Sequence, residues 1–396
     1  MRPSLPKSSL QEPTNPLLYW GLFALLQVFL LLLAFAAGYI FHQWYTGDDL
    51  ALVRRALTIL TQNAYDPLPQ PPALQYGMIR GMLQAMNDPY TVFVEPPQAE
   101  LQSNQLEGKY GGIGVRLERD ADNYIRLFPL PDSPAARAGI LENDRLLRVD
   151  GKEITPLLSY DEVQAAIRGR VGQHVKITVG REPAFQPIEY LVRRAEVPLP
   201  SVTWNLAPDE ARVGVIQINV IAETTPAEVR KAIQDLQQRG ATHFILDLRN
   251  NGGGLVEAGV DTARLFLEKG TIIQQQYRGE EVKTYSVERP GPFTALPLAV
   301  LVNQSTASAA EILAGALQGQ GRAPLVGSPT YGKDSIQLVF DLGDGSSLHV
   351  TAARWWVPGL EPAIRGHGLQ PDVPVSEDDP DQWLRTAVET VLSQTR

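Results

Sequence analysis

Two runs of this chain, His243-Phe-Ile-Leu-Asp-Leu248 and Leu298-Ala-Val-Leu-Val302, are apolar almost throughout and do not alternate. A strand with one buried face alternates inward and outward, so a run without alternation is covered on both sides. Each run ends in small or turn-forming residues and feeds a helical pattern. The segment before them follows the same logic, with a strand at Val213-Gly-Val-Ile-Gln-Ile218 and an amphipathic helix from Thr225 to Arg239. Gly254 to Leu267 reads as a further helix. Strand and helix in alternation specify an α/β core with a mostly parallel sheet, its strands feeding helices at the functional edge.

The second run leads into small residues, Ser305 to Ala310, and then an apolar helix, Glu311-Ile-Leu-Ala-Gly-Ala-Leu-Gln318. Ser308 therefore sits at a helix N-terminus, where free N–H groups and the positive dipole end favour negative charge. Such a site can stabilise a tetrahedral oxyanion, and Lys333 downstream can act as base. The plain alternative is that Ser308 is an N-cap and Lys333 a surface charge.

The chain has 396 residues, enough for two or three domains. Its net charge of -9 argues against a nucleic-acid partner. It has no cysteine, which excludes disulfides, thiolate metal sites and a cysteine nucleophile. Its five histidines lack ligand spacing, so neither a metal nor a cofactor is expected. Leu17 to Phe41 is apolar, broken only by Gln27 among clearly polar types, and flanked by Tyr19, Trp20, Trp44 and Tyr45. It exceeds both the hydrocarbon thickness and a signal-peptide core, which predicts an uncleaved transmembrane helix. Arg2 and Lys7 precede it, placing the N-terminus inside and the catalytic mass outside the cytoplasm, as a single-pass protein of the cell membrane. The rival reading is a cleaved signal peptide, with Ala34-Phe-Ala36 as the cleavage site and a secreted or periplasmic product.

The expected organisation is a cytoplasmic tail at 1–16, an anchor at 17–41 and a helical region at 48–100. A β-rich module at 101–198, an α/β core at 199–378 and a C-terminal helix at 379–396 follow. The β-rich module holds short strands and two short helices. One is Ser133-Pro-Ala-Ala-Arg-Ala-Gly139, and the other starts at Ser159 with Glu162 three residues on. Gly111-Gly-Ile-Gly114 opens it. Successive glycines let N–H groups converge on a carboxylate, and the adjoining strand edge can take an added peptide strand. Alone, that motif reads better as a tight turn. Asp247-Leu-Arg-Asn-Asn-Gly-Gly-Gly254 lacks the lysine of a P-loop and reads either as a structural turn or as an oxyanion-binding N–H beside Ser308.

Taken together, these motifs resemble the carboxyl-terminal processing peptidases, or tail-specific proteases, across about residues 48 to 375. The marks are Asp88-Pro-Tyr90, the module's Ser133 to Ile140, Asn143-Asp-Arg and Val149-Asp-Gly151, and Asp247-Leu-Arg with Gly252 to Gly254. They continue with Thr306-Ala-Ser-Ala-Ala-Glu311, Gly332-Lys333 with Gln337, and Gly366-His-Gly-Leu-Gln-Pro-Asp372. The resemblance implies a crotonase/ClpP-like α/β core with an inserted β-rich PDZ domain. It implies Ser308 as nucleophile, Lys333 as general base and Gln337 as the residue orienting the lysine, with the N–H groups of Gly254 and Ala309 as oxyanion hole. It implies capture of free, apolar C-termini of protein or peptide substrates at Gly111, Gly112, Ile113 and Gly114. Arg168 matches an arginine that in relatives couples the PDZ domain to the active site. An oligomer is compatible with this reading.

Two positions depart from the family pattern, Ala310 where serine is usual and Asp334 where glycine is usual. A lysine base must be neutral, which burial achieves. Leu325, Val326, Ile336 and Val339 are the expected walls. Asp334 would oppose them if it met Lys333, but adjacent residues on an extended strand face opposite ways. Competing readings are a histidine base (His243, His349 or His367), a catalytically silent PDZ scaffold binding C-termini, and an acyl-CoA enzyme of related fold.

Overall fold

The computed structural model describes residues 16–46, 50–360, 364–376 and 380–394. Of the tail expected over 1–16, all but Pro16 lies outside them. The chain divides into two compact units, 1–78 and 79–396. The first holds the helices Pro16–Thr46 and Ala51–Asn63. The helix forms where the apolar run begins, and Trp20 and residues 23–38 are exposed along it. A membrane span is nevertheless not shown, because among the described residues no helix is long and apolar enough to cross a membrane.

The second unit is built around a six-stranded sheet. Its order is Val202–Ala207, Glu210–Ile218, His243–Asp247, Leu298–Val302, Leu325–Gly327 and Val373–Pro374. Only the first pair is antiparallel; every other pairing is parallel. Each residue of His243–Asp247 and of Leu298–Val302 is buried, as expected of strands covered on both faces. One face packs under the helices Thr225–Gln238, Val256–Arg264 and Ala309–Gly319. The other packs under the C-terminal helix Pro380–Ser393, through Trp383, Ala387 and Val391. A second, antiparallel sheet holds Ser335–Asp341 against Ser347–Trp356, and so carries the segment that follows Lys333.

The β-rich module has its own core of fifteen buried residues, among them Ile113, Leu127, Val163 and Ile177. Its sheet runs Val115–Arg119, Ile125–Pro129, Asp144–Val149, His174–Gly180 and Pro187–Arg193. The chain enters along Lys109–Gly112 and leaves along Ala195–Pro198, and these two segments pair antiparallel as a neck. Leu199 N–H to Gly108 C=O at 2.8 Å closes the neck toward the α/β core.

Candidate active site

Two strand ends create the site. Asp247, buried, takes a bidentate hydrogen-bond pair from Arg249 at 2.9 and 2.6 Å, which locks the turn after the strand. Asn251 then crosses between segments. Its side-chain amide donates to Ile218 C=O at 2.8 Å and its Oδ1 accepts from Gly253 N–H at 2.8 Å. Its carbonyl accepts from Ala307 N–H at 2.9 Å, which ties the glycine turn to the serine segment. Thr306 Oγ1 donates to Leu248 C=O at 2.8 Å, closing the same seam from the other side.

Gly253 has φ +104, and a Cβ there would stand 2.7 Å from Ala307 O, 2.8 Å from Ser308 Cβ and 3.0 Å from Ala309 N. Only glycine fits so close to the serine. Gly254 forms an isolated parallel bridge with Ile221, whose bonds run to Gly253 C=O and from Leu255 N–H. That pattern leaves the N–H of Gly254 facing away from Ile221. Neither it nor the N–H of Ala309 has a protein acceptor among the described residues.

Ser308 has φ 55 and ψ −121, a conformation outside the left-handed helical well that costs about 1–3 kcal/mol. Its hydroxyl makes no cap hydrogen bond. Ser308 does stand at the N-cap position, in capping-box relation to Glu311, but it differs from Ser133 and Ser159, whose φ of −75 and −65 are extended and whose hydroxyls are hydrogen-bonded as caps. What holds the Ser308 turn is Glu311. This fully buried carboxylate accepts from Ser308 N–H at 2.9 Å, an interaction large enough to offset the strain. It also accepts from Thr330 Oγ1 at 2.5 Å, Gly332 N–H at 2.7 Å and Lys333 N–H at 2.9 Å. Tyr331 N–H to Thr306 C=O at 3.0 Å adds a second link between the turns. One side chain thus fixes the serine turn and the lysine turn to each other.

Lys333 Nζ donates to Gln337 Oε1 at 2.6 Å and lies 5.2 Å from the centre of the Tyr90 ring. Gln337 in turn donates to the carbonyl of Tyr90. The Tyr90 loop is shaped by Asp88, which accepts from Tyr90 N–H at 3.0 Å and Thr91 Oγ1 at 2.7 Å. Burial holds the Lys333 ammonium below its usual range, against the opposing pull of the Glu311 and Asp88 carboxylates. Among the described residues no hydrogen bond joins Ser308 Oγ to Lys333 Nζ, whose amine is bonded to Gln337. Asp334 points elsewhere and pairs with Arg354 at 2.7 Å. The expected wall is corrected. Val339 is 56% exposed, Val326 packs into the core under the C-terminal helix, and the ring of Tyr90 stands over the amine.

Of the histidines, His243 bonds Thr242 through its ring at 2.8 Å and His349 bonds Ser347 at 3.1 Å. Burial first, and Lys333 second, hold the His349 imidazole below its usual range. In the β-rich module, Gly111 and Gly112 lie in the neck, Ile113 is buried, and Gly114 turns with φ +68 into the edge strand Val115–Arg119. The N–H groups of Ile113 and Gly114 have no protein acceptor among the described residues. Arg168 caps the helix Tyr160–Ile167, with its guanidinium 4.5 Å from the centre of the neck residue Tyr110.

Glu311, Asn251 and the Tyr90 carbonyl are the parts that residue-by-residue reading leaves without a role. A carboxylate at the head of an otherwise apolar helix was the available signal for Glu311. A backbone carbonyl has none.

Residues 212–375 match the model of peptidase family S41, and residues 129–181 match that of a PDZ domain. The chain is 38% identical over 311 residues to the carboxyl-terminal-processing protease of Picosynechococcus sp., covering 76% of this chain and 73% of that one. It is 35% identical over 298 residues to the carboxy-terminal processing protease CtpA of Bacillus subtilis, covering 75% and 63%. Among solved structures, a photosystem II D1 C-terminal processing protease aligns with 30% identity and a TM-score of 0.46, covering 87% of this chain and 90% of that one.

Proposed function

The chain belongs to peptidase family S41, as a serine-type C-terminal processing peptidase, and on that premise we propose that Ser308 is the nucleophile, Lys333 the general base and Gln337 the group that orients it. One observation carries the assignment. Ser308 is held in a strained turn whose N–H shares the Glu311 carboxylate with the N–H of Lys333, a lysine kept below its usual pKa range by burial.

In the first step neutral Lys333 takes the Ser308 proton as Oγ attacks a peptide carbonyl. The N–H groups of Gly254 and Ala309 receive the oxyanion; one such donor is worth on the order of 10²–10³ in rate. The tetrahedral species expels the amine, which leaves with the proton from Lys333, and an acyl-enzyme remains. Water, deprotonated by the same lysine, releases the new C-terminus. Gln337, braced by Tyr90 C=O, keeps Nζ from wandering.

Substrates in this reading are proteins or peptides with free, apolar C-termini, held at Gly111 to Gly114 and along the edge strand Val115–Arg119. Arg168, stacked on the neck, passes the state of that module to the core. The helix Pro16–Thr46, apolar through most of its length, anchors the chain in the membrane with the catalytic unit outside the cytoplasm. Peptidase assay of the purified full chain on a free-acid peptide with an apolar tail tests the chemistry: full activity in Ser308→Ala or Lys333→Ala overturns it. Release from membranes by alkaline carbonate overturns the anchor.

A further inference from the structure

The strand Val115–Arg119 lies at the edge of its sheet. Its partner register pairs Arg116 with Phe128 and Glu118 with Arg126, and the flanking bonds run from Leu130 N–H to Gly114 C=O and from Asp120 N–H to Tyr124 C=O. These contacts fix the parity. Even-numbered residues bond inward, so Val115, Leu117 and Arg119 turn their N–H and C=O groups to the open edge. An antiparallel tail whose carboxylate sits at the Gly112–Gly114 turn would bond its last residue to Val115. Its third residue from the end would bond to Leu117.

The Leu117 carbonyl is already taken. Tyr160 Oη donates to it at 2.5 Å, across the groove from the first turn of the helix Tyr160–Ile167. The helix start itself cannot withdraw easily. Ser159 and Glu162 close a reciprocal capping box behind Tyr160, at 3.2 and 2.7 Å. Arg119 bonds Leu158 C=O at 2.5 Å and Pro156 C=O at 3.3 Å, pinning the approach to the helix against the same strand. The element free to move is the Tyr160 side chain, 38% exposed at the groove mouth.

We propose that Tyr160 is a latch on the tail groove: its hydroxyl occupies the strand acceptor that a bound C-terminal tail needs, and capture requires the phenol to swing out. This inference rests on the tail-capture reading above and adds a competing group to it. The latch sets a threshold, since only a tail that supplies its own N–H at that position replaces the bond that is lost.

The test uses the full chain in detergent, carrying Ser308→Ala to prevent cleavage. Fluorescence anisotropy measures its affinity for a labelled peptide ending in Ala-Leu-Val, as free acid and as amide. Removing the latch hydroxyl with Tyr160→Phe keeps the ring and its packing. It is expected to tighten binding of the free acid roughly two- to tenfold, the span of one net hydrogen bond. Methylation of the backbone nitrogen third from the peptide's end is expected to abolish that gain. Carboxylate-dependent binding that is unchanged or weaker in Tyr160→Phe overturns the latch and leaves tail capture standing. Equal binding of acid and amide in both proteins, with melting curves intact, overturns tail capture and the latch together.

Discussion

Two helices of this protein begin with the same local signature, Ser-x-x-Glu, and use it for opposite ends. At Ser159 the backbone is extended, the hydroxyl accepts from Glu162 N–H, and Glu162 accepts from Ser159 N–H. At Ser308 the second of these bonds is kept, but the backbone stands at φ 55 and the hydroxyl, though in a capping-box position, makes no cap hydrogen bond. The difference lies in what else claims the glutamate. Glu162 is exposed and takes its hydrogen bonds from its own turn, whereas Glu311 is buried and also serves Thr330, Gly332 and Lys333. Gly253 at the same time presses on the serine from outside. A capping box is a local solution at Ser159; at Ser308 the glutamate is shared with a distant segment and the serine backbone is held out of the extended cap conformation.

The strongest way to break this contrast is to remove each hydroxyl. Ser308→Ala is expected to lower kcat/KM by about 10⁴–10⁶-fold, while Ser159→Ala leaves turnover of a short peptide intact and costs about 1 kcal/mol of stability. Peptidase assay with thermal melts decides it, and equal effects on activity would erase the distinction. Next in size is Gly253→Ala, whose Cβ meets the serine and the Ala309 N–H; a rate loss of about 10²–10³-fold is expected. Glu311→Gln weakens the shared carboxylate and is expected to cost about 10²-fold in kcat through misplacement of both turns. Glu162→Gln should leave kcat unchanged.

The pH profile sharpens the same comparison. The proposed mechanism requires neutral Lys333, so kcat/KM should climb with pH and level off above a pKa that burial holds below the usual lysine range. Asp88→Asn removes a carboxylate that favours the ammonium, and should move that limb to lower pH. A limb that stays in place separates Asp88 from the lysine. The smallest effect belongs to Glu162, whose pKa the Ser159 N–H holds below the usual carboxylate range. Its stabilising effect is present above that range and is lost as pH falls through the lowered value. The melting difference between wild type and Glu162→Gln should therefore vanish in acid.

Much of this was legible in order of residues alone. Buried strands at 243–247 and 298–302 showed themselves by lack of alternation, and Ser308 by its place after one of them. The helix expected from Gly254 is shorter, Val256–Arg264, because Gly253 and Gly254 hold positive φ to reach the serine and Ile221. The lysine's surroundings were not legible. Its nearest ring and the brace on Gln337 both come from the Tyr90 loop, which periodicity marks only as a helix-ending turn. Asp334 was readable by strand geometry, and Arg354 supplies the partner that geometry alone does not name.

The hydrogen bond from Gln337 to Tyr90 joins residues 247 positions apart in the chain. Contacts of such separation form late, after the intervening chain has been closed into a loop. A chain that has formed its serine and lysine turns but has not yet closed that loop lacks the brace on Gln337. Under the proposed chemistry the lysine is aimed only once two distant parts of the chain have met, so full activity is tied to completion of the folded core.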